Sequence, residues 1–135
     1  PEYKKIISMA KNLNIYDKII IINKTYNPYP YIKRSKILFT TSIYEGFPNT
    51  LVESLTIGTP VISTNMNAGA SEILSNGKGG ELIKIGDYIN LSKKIMFFLN
   101  SPKKLLNKTH YAQKTLNRFD AKNHARIYTK IFMEI

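Results

Sequence analysis

Apolar positions recur along the chain with two periods, and the switches between them predict alternating helices and strands. From Glu2 to Leu13 the spacing is helical (Ile6, Met9 or Ala10, Leu13), with Lys4, Lys5 and Lys11 on the wet side. Asn14-Ile15-Tyr16-Asp17 breaks that pattern. Lys18 to Ile22 carries an unbroken β-branched run, Ile19-Ile20-Ile21-Ile22, as expected of a strand buried on both faces of a parallel sheet. Asn23 to Asn27 reads as the loop at that strand's carboxyl end. The prolines of Pro28-Tyr29-Pro30-Tyr31 suit the first turn of a short helix ending near Arg34-Ser35. Lys36 to Thr41, with Ile37, Leu38 and Phe39 in succession, predicts the next strand.

Gly46 and Pro48 end that strand's run, and Asn49 is placed to cap a helix starting at Thr50. Leu51 and Leu55, one turn apart, make its buried stripe, and Glu53 falls on the opposite side. Gly58 suits the left-handed residue after the last turn, and Pro60 stops the helix before a strand from Val61 to Thr64. After the Asn65 to Gly69 loop comes a helix carrying Glu72-Ile73. The Asn76 to Gly80 turn then leads to a short strand, Glu81 to Ile83, and lacks the strand-to-helix context of a phosphate-binding glycine loop. Asp87 is expected to cap a helix from Tyr88 to Leu99 with Leu91, Ile95 and Phe98 or Leu99 inward. Ser101-Pro102 starts another, through Leu105, Leu106, Tyr111 and Leu116 to Arg118, and Asp120 caps a last one carrying Ile127, Tyr128, Ile131 and Phe132. The alternation predicts an α/β fold: a Rossmann-like parallel sheet of about four strands flanked by helices. With no repeat or long linker, residues 1–135 read as one domain.

Composition narrows the chemistry. At 43% hydrophobic residues this is an ordinary globular composition, and no apolar run approaches the ~20 residues that span a bilayer. The absence of cysteine excludes disulfides and thiolate metal sites, and His110 and His124, well separated, argue against zinc. Lys and Arg number 20 against 9 acidic residues, a formal net charge of +11. Because the lysines are scattered, compositional drift in a chain rich in Lys, Ile and Asn explains the charge best. Attraction to an anionic membrane comes next, and nucleic acid last. The start at Pro1, already within a helical pattern, gives the expectation of a piece cut from a longer protein.

The loop and helix from Ser42 to Glu53 carry the candidate chemistry. Backbone amides at a helix start, with the positive end of the helix dipole, suit a phosphate. Glu45 and Glu53 are anions, so their natural partners are hydroxyl groups. Phosphate donors flanked by two acceptors for hydroxyls describe a nucleotide sugar.

The residues also carry a resemblance. Glu45-Gly46-Phe47-Pro48, Glu53 after seven intervening residues, and Gly58-Thr59-Pro60-Val61-Ile62 together resemble the donor-site motif of glycosyltransferase family 4, and the likeness extends from about Ala10 to Leu99. That family comprises retaining enzymes of the GT-B type, with two Rossmann-like domains. The resemblance implies that this chain is the C-terminal, nucleotide-sugar-binding half. The acceptor-binding domain, the donor domain's first strand–helix unit and the basic pair contacting pyrophosphate would lie in sequence outside it. It implies transfer of a hexose from a UDP- or GDP-linked donor to a glycan or lipid-linked acceptor, in bacterial polysaccharide biosynthesis, with no metal or other cofactor. Glu45, the catalytic residue of this assignment, would hold hydroxyls of the transferred sugar, and Glu53 the ribose diol. Gly46, Phe47, Pro48, Asn49, Thr50 and Leu51 would complete the donor site, with backbone amides near Phe47, Asn49, Thr50 and Leu51 taking the sugar's hydroxyls and the phosphates, and Lys24 lies in the loop that would border the nucleobase. Two positions depart from the family pattern: the glycine usual near Asn23 is missing, and Asn65 stands near a usual acid. The expected setting is cytoplasmic, with peripheral contact at the inner face of the membrane and no nucleic-acid partner. The alternatives are a non-enzymatic basic module for anionic membrane or nucleic acid, and a GT-B sugar-nucleotide epimerase.

Overall fold

A computed structural model describes residues 2–66 and 69–134; Asn67 and Ala68, part of the loop read after Asn65, lie outside the described residues. Three parallel strands, β1 (Leu38–Thr40), β2 (Val61–Thr64) and β3 (Glu81–Ile83), stand side by side in chain order. The register pairs Leu38 with Val61 and Ile62 with Glu81. Around them lie α1 (Glu2–Asn12), α2 (Tyr29–Arg34), α3 (Asn49–Ile57), α4 (Ala70–Ile73), α5 (Tyr88–Asn100), α6 (Pro102–Gln113) and α7 (Ala121–Met133). The α/β class and the sheet-and-helix alternation expected from the sequence are what the structure shows.

Side chains of a strand alternate between faces, and β2 is buried at all four positions. Val61 joins Leu51, Leu55, Met66, Ala70, Ile73, Leu74 and Ala112 in one core cluster, between the sheet, α3, α4 and α6. Ile62 joins Ile83, Leu91, Phe98 and Leu105 in the other, under α5 and α6. The helix ends follow local chemistry where local chemistry decides. Gly58 takes φ +91 after α3, and the Asp87 and Asp120 carboxylates accept from the Asn90 amide at 2.9 Å and the Lys122 amide at 2.8 Å.

Three expectations are corrected. Ile19–Ile22 is not a strand: it follows a 3₁₀ turn (Tyr16–Lys18), and Ile20 is 88% exposed. Its β-branched residues favour extension, but a parallel strand also needs a neighbour, and among the described residues β1 pairs only with β2. Among the described residues the sheet therefore has three strands rather than about four. The apolar stripe of α1 buries Ala10 alone, leaving Ile6, Met9 and Leu13 exposed, and α7 buries no residue. Both helices pack chiefly on the 3₁₀ turns beside them. The helix expected through Arg118 ends at Gln113, because the Thr115 hydroxyl and amide both bond the Ala112 carbonyl, and a 3₁₀ turn (Leu116–Phe119) follows. No helix among the described residues is long and apolar enough to cross a membrane.

Glu81 ties four segments together. Its carboxylate pairs with Lys94 of α5 at 2.5 Å and with Lys108 of α6 at 2.9 Å. Lys108 also donates to the carbonyls of Gly77 and Gly80, fixing the turn before β3. Burial pushes the Glu81 carboxyl up, and the two lysines outweigh it, leaving it below the ordinary 4.5. A depressed folded-state value stabilises the fold above the unfolded one, and that contribution fades as pH falls through 4.5 toward the folded value. Glu81→Gln is accordingly expected to lower urea stability at neutral pH. The gap to the parent should shrink once the pH drops below 4.5, as seen in unfolding curves at both pH values.

Candidate functional site

The loop from Thr41 to Pro48 leaves the carboxyl end of β1, the edge where ligands of open parallel sheets bind. Its origin is anchored by hydroxyl groups. Thr40 Oγ1 and Ser63 Oγ meet at 2.9 Å where the β1–β2 ladder ends, and Thr64 Oγ1 donates to the Ser42 carbonyl at 2.6 Å. The Ser42 hydroxyl in turn donates to Glu45 Oε1. Glu45 is half-buried, and its Oε2 has no hydrogen-bond partner among the described residues. A Cβ on Gly46 would meet nothing within 4 Å, so packing does not demand glycine there and the loop is open on that side.

The far end of the loop is clamped by apolar contacts. Pro48 is buried, and the Phe47 ring packs against Phe119 with centroids 5.7 Å apart. Gly69, at φ +75, sits so close that an added Cβ would stand 3.0 Å from Pro48 Cδ and 3.1 Å from Phe47 Cδ2. Arg118 lies over the Phe119 ring at 4.7 Å and donates to the carbonyls of Glu72 and Ile73. The 3₁₀ turn, α4 and the loop thus hold one another.

At the start of α3 the expected cap is replaced. Pro48 occupies the N-cap position and Asn49 is already helical, with no side-chain cap bond. The Asn49 amide donates to the Phe47 carbonyl and the Leu51 amide to the Pro48 carbonyl, both at 2.9 Å. Of the amides read as open, these two are therefore engaged locally. Thr50 is exposed, and Leu51 turns its side chain into the core. Glu53 is half-buried on α3, and its carboxylate has neither ion pair nor hydrogen bond among the described residues. The C-terminal end of α3 is pinned: Ser54 donates to the Thr59 carbonyl, and Thr59 Oγ1 to the Ile32 carbonyl of α2.

Glu45 to Glu53 thus form one anchored loop-and-helix segment, with Pro48 and Leu51 buried within it. Lys24 lies on a separate segment of the chain. It stands on an exposed loop with its ammonium 5.5 Å from the Tyr26 ring and pairs with neither Glu45 nor Glu53. Sequence reasoning missed Ser42, Thr64, Gly69, Arg118 and Phe119. Only Ser42 left a local signal, a hydroxyl three residues before a carboxylate; the others act across long sequence separations. Among the described residues no three His, Asp or Glu converge as a metal would need.

A family model described as "Glycosyl transferases group 1" matches residues 1–115. An N-acetylgalactosaminyltransferase of Campylobacter jejuni, named for a diphospho-undecaprenol-linked acceptor, is 30% identical over 81 residues, covering 60% of this chain and 22% of the relative. A lipopolysaccharide 1,6-galactosyltransferase of Escherichia coli is 33% identical over 92 residues, covering 64% and 25%. Among solved structures, a glycosyltransferase from Rickettsia africae superposes with TM-score 0.87 at 25% identity, over 98% of this chain and 36% of that one. Anabaena Alr3699/HepE in complex with UDP superposes with TM-score 0.91 at 19% identity, over 98% and 37%, a likeness of fold. The chain spans about a quarter of the length of the curated relatives it matches.

The clamp makes a stability prediction. Gly69→Ala forces a side chain into the left-handed region and against Pro48 and Phe47, and is expected to cost about 1–3 kcal/mol in urea unfolding. A variant as stable as the parent would show that the loop does not rest on α4.

Proposed function

The chain belongs to the group 1 glycosyl transferases, and on that premise we propose that it is the nucleotide-sugar-binding domain of a family 4 enzyme. The whole enzyme would move a hexose, with retention of configuration, from a UDP- or GDP-linked donor to a glycan or lipid-linked acceptor. One observation carries this reading: two carboxylates on one anchored loop and helix, each with an oxygen left for a ligand hydroxyl, flank a helix start. Glu45 is the group that would hold the transferred sugar's hydroxyls, and Glu53 the ribose diol. The diphosphate falls to the Phe47 and Thr50 amides and the α3 dipole, since the Asn49 and Leu51 amides are engaged. Preorganised donors on the leaving diphosphate supply charge stabilisation without a metal. The open side of Gly46 leaves room for the sugar.

Relatives that build lipopolysaccharide and an undecaprenol-linked glycan support a bacterial surface glycan as product, and the UDP complex of the Anabaena neighbour makes uridine donors the first to test. Residues 1–135 alone would not transfer sugar, because acceptor recognition would lie in sequence outside them.

A second reading concerns location. On α7, Ile127 and Ile131 are exposed one turn apart, and Lys122, Arg126 and Lys130 form a cationic row on another side of the helix. With a net charge of +11, this suits peripheral contact with an anionic membrane. The full-length protein is expected to sediment with phosphatidylglycerol vesicles and not with phosphatidylcholine vesicles, and Ile127→Asp with Ile131→Asp should abolish it. Equal sedimentation with both vesicles would contradict it.

The donor assignment predicts that UDP- or GDP-sugars raise the unfolding temperature of the full-length protein. A ligand at ~100 times its dissociation constant adds about 2.7 kcal/mol. Glu53→Ala should remove most of that shift while leaving the unliganded unfolding temperature within a few degrees. Silence of the full-length protein toward every nucleotide sugar would sink the transferase reading.

A further inference from the structure

We infer that Ser42 and Thr64 are positioning residues for Glu45, forming a hydroxyl relay that carries the order of the central strand to the proposed sugar-binding carboxylate; this rests on the donor-site reading above. β2 is sealed on both faces, yet its carboxyl end holds two hydroxyl side chains in succession, Ser63 and Thr64, at 0% and 2% exposure. A buried hydroxyl is costly unless bonded, so each of these has a fixed task. Ser63 is satisfied within the sheet, by Thr40 Oγ1 and the Thr64 carbonyl at 2.9 Å each. Thr64 reaches outward, and its Oγ1 donates to the Ser42 carbonyl at 2.6 Å.

That bond lies beyond the last ladder pair, Thr40 with Ser63. Backbone pairing has stopped there, and the Thr64 side chain supplies a further cross-strand link. It fixes the peptide that carries Ser42, and the Ser42 hydroxyl then holds Glu45 Oε1. Ser42-Ile43-Tyr44-Glu45 has the spacing of a helix capping box, yet these residues are not helical, so helix capping does not explain the bond. Ile43 and Tyr44 between them are exposed and pack little, leaving the two polar side chains as the local order of the loop.

The consequence is chemical. A carboxylate on an open loop has several rotamers, and a ligand that binds it must freeze one. With Oε1 held by Ser42, that ordering is complete before the ligand arrives, and Oε2 remains to accept from a sugar hydroxyl. Freezing one rotamer-rich side chain is worth about 3- to 10-fold in affinity. The effect should fall only on ligands that reach Glu45, namely those carrying the sugar, and not on the nucleotide alone.

The test uses the full-length protein and calorimetric titration with UDP-glucose against UDP and GDP-mannose against GDP. Ser42→Ala is expected to weaken the sugar nucleotide about 3- to 10-fold and leave the bare nucleoside diphosphate within about twofold. Ser42→Thr, which keeps the hydroxyl, should restore most of the difference. Thr64→Val should act in the same direction as Ser42→Ala, and Thr64→Ser should retain binding; if Thr64→Val fails to fold, the Ser42 pair decides. A ratio unmoved by Ser42→Ala but moved by Glu45→Ala overturns the relay and leaves the donor site standing. A ratio unmoved by Glu45→Ala removes the sugar role of Glu45, and the relay with it. Loss of both ligands together in Ser42→Ala would mark Ser42 as merely structural and equally overturn the proposal.

Discussion

The burial of β2 on both faces is the constraint on which the rest of this chain depends. Val61 and Ile62 point to opposite sides and belong to separate core clusters, so α3 and α4 on one side and α5 on the other are placed by one strand. A strand buried in this way tolerates no unbonded polar group. The hydroxyls of Ser63 and Thr64 therefore become fixed points, and the loop that leaves β1 is built on them. The candidate site is thus anchored to the most deeply buried strand of the fold, which suits the proposed role of meeting hydroxyl groups at set positions.

How much of this was legible in the sequence depends on how local each determinant is. Gly58 and Pro60 stop α3 by backbone geometry alone, Asp87 and Asp120 cap their helices through amides two or three residues away, and Leu51 and Leu55 are placed by helical spacing. All of these were readable. Asn49 had the right chemistry for a cap, but the rigid ring before it shifts the helix start by one residue, and Pro48 takes the cap position. Ile19–Ile22 had the right propensity for a strand, but pairing is a property of a neighbour and cannot be read from the run itself. The contact of Phe47 with Phe119 and the close approach of Gly69 to Pro48 join segments far apart in the chain, and no spacing rule announces them.

The apolar surface left open is as informative as the core. Ile20, the outer side of α1 and the apolar residues of α7 are exposed in a chain that otherwise packs two well-defined clusters. The solved neighbours superpose over nearly all of this chain while being about three times its length. In the proposed reading the donor-side chemistry lies on the loop and α3. In that reading an acceptor would be met across the carboxyl edge of the sheet, where Ile43 and Tyr44 stand exposed beside Glu45.

The most direct measurement is an amide NMR map of the full-length protein titrated with UDP and GDP. If the loop and the start of α3 are the donor site, the largest shifts will fall on Glu45 to Glu53, with Phe47 and Thr50 foremost. Shifts centred elsewhere, for instance on the cavity of about 470 Å³ at the opposite edge of the sheet lined by Lys33, Lys36, Phe98 and Leu105, would contradict the account.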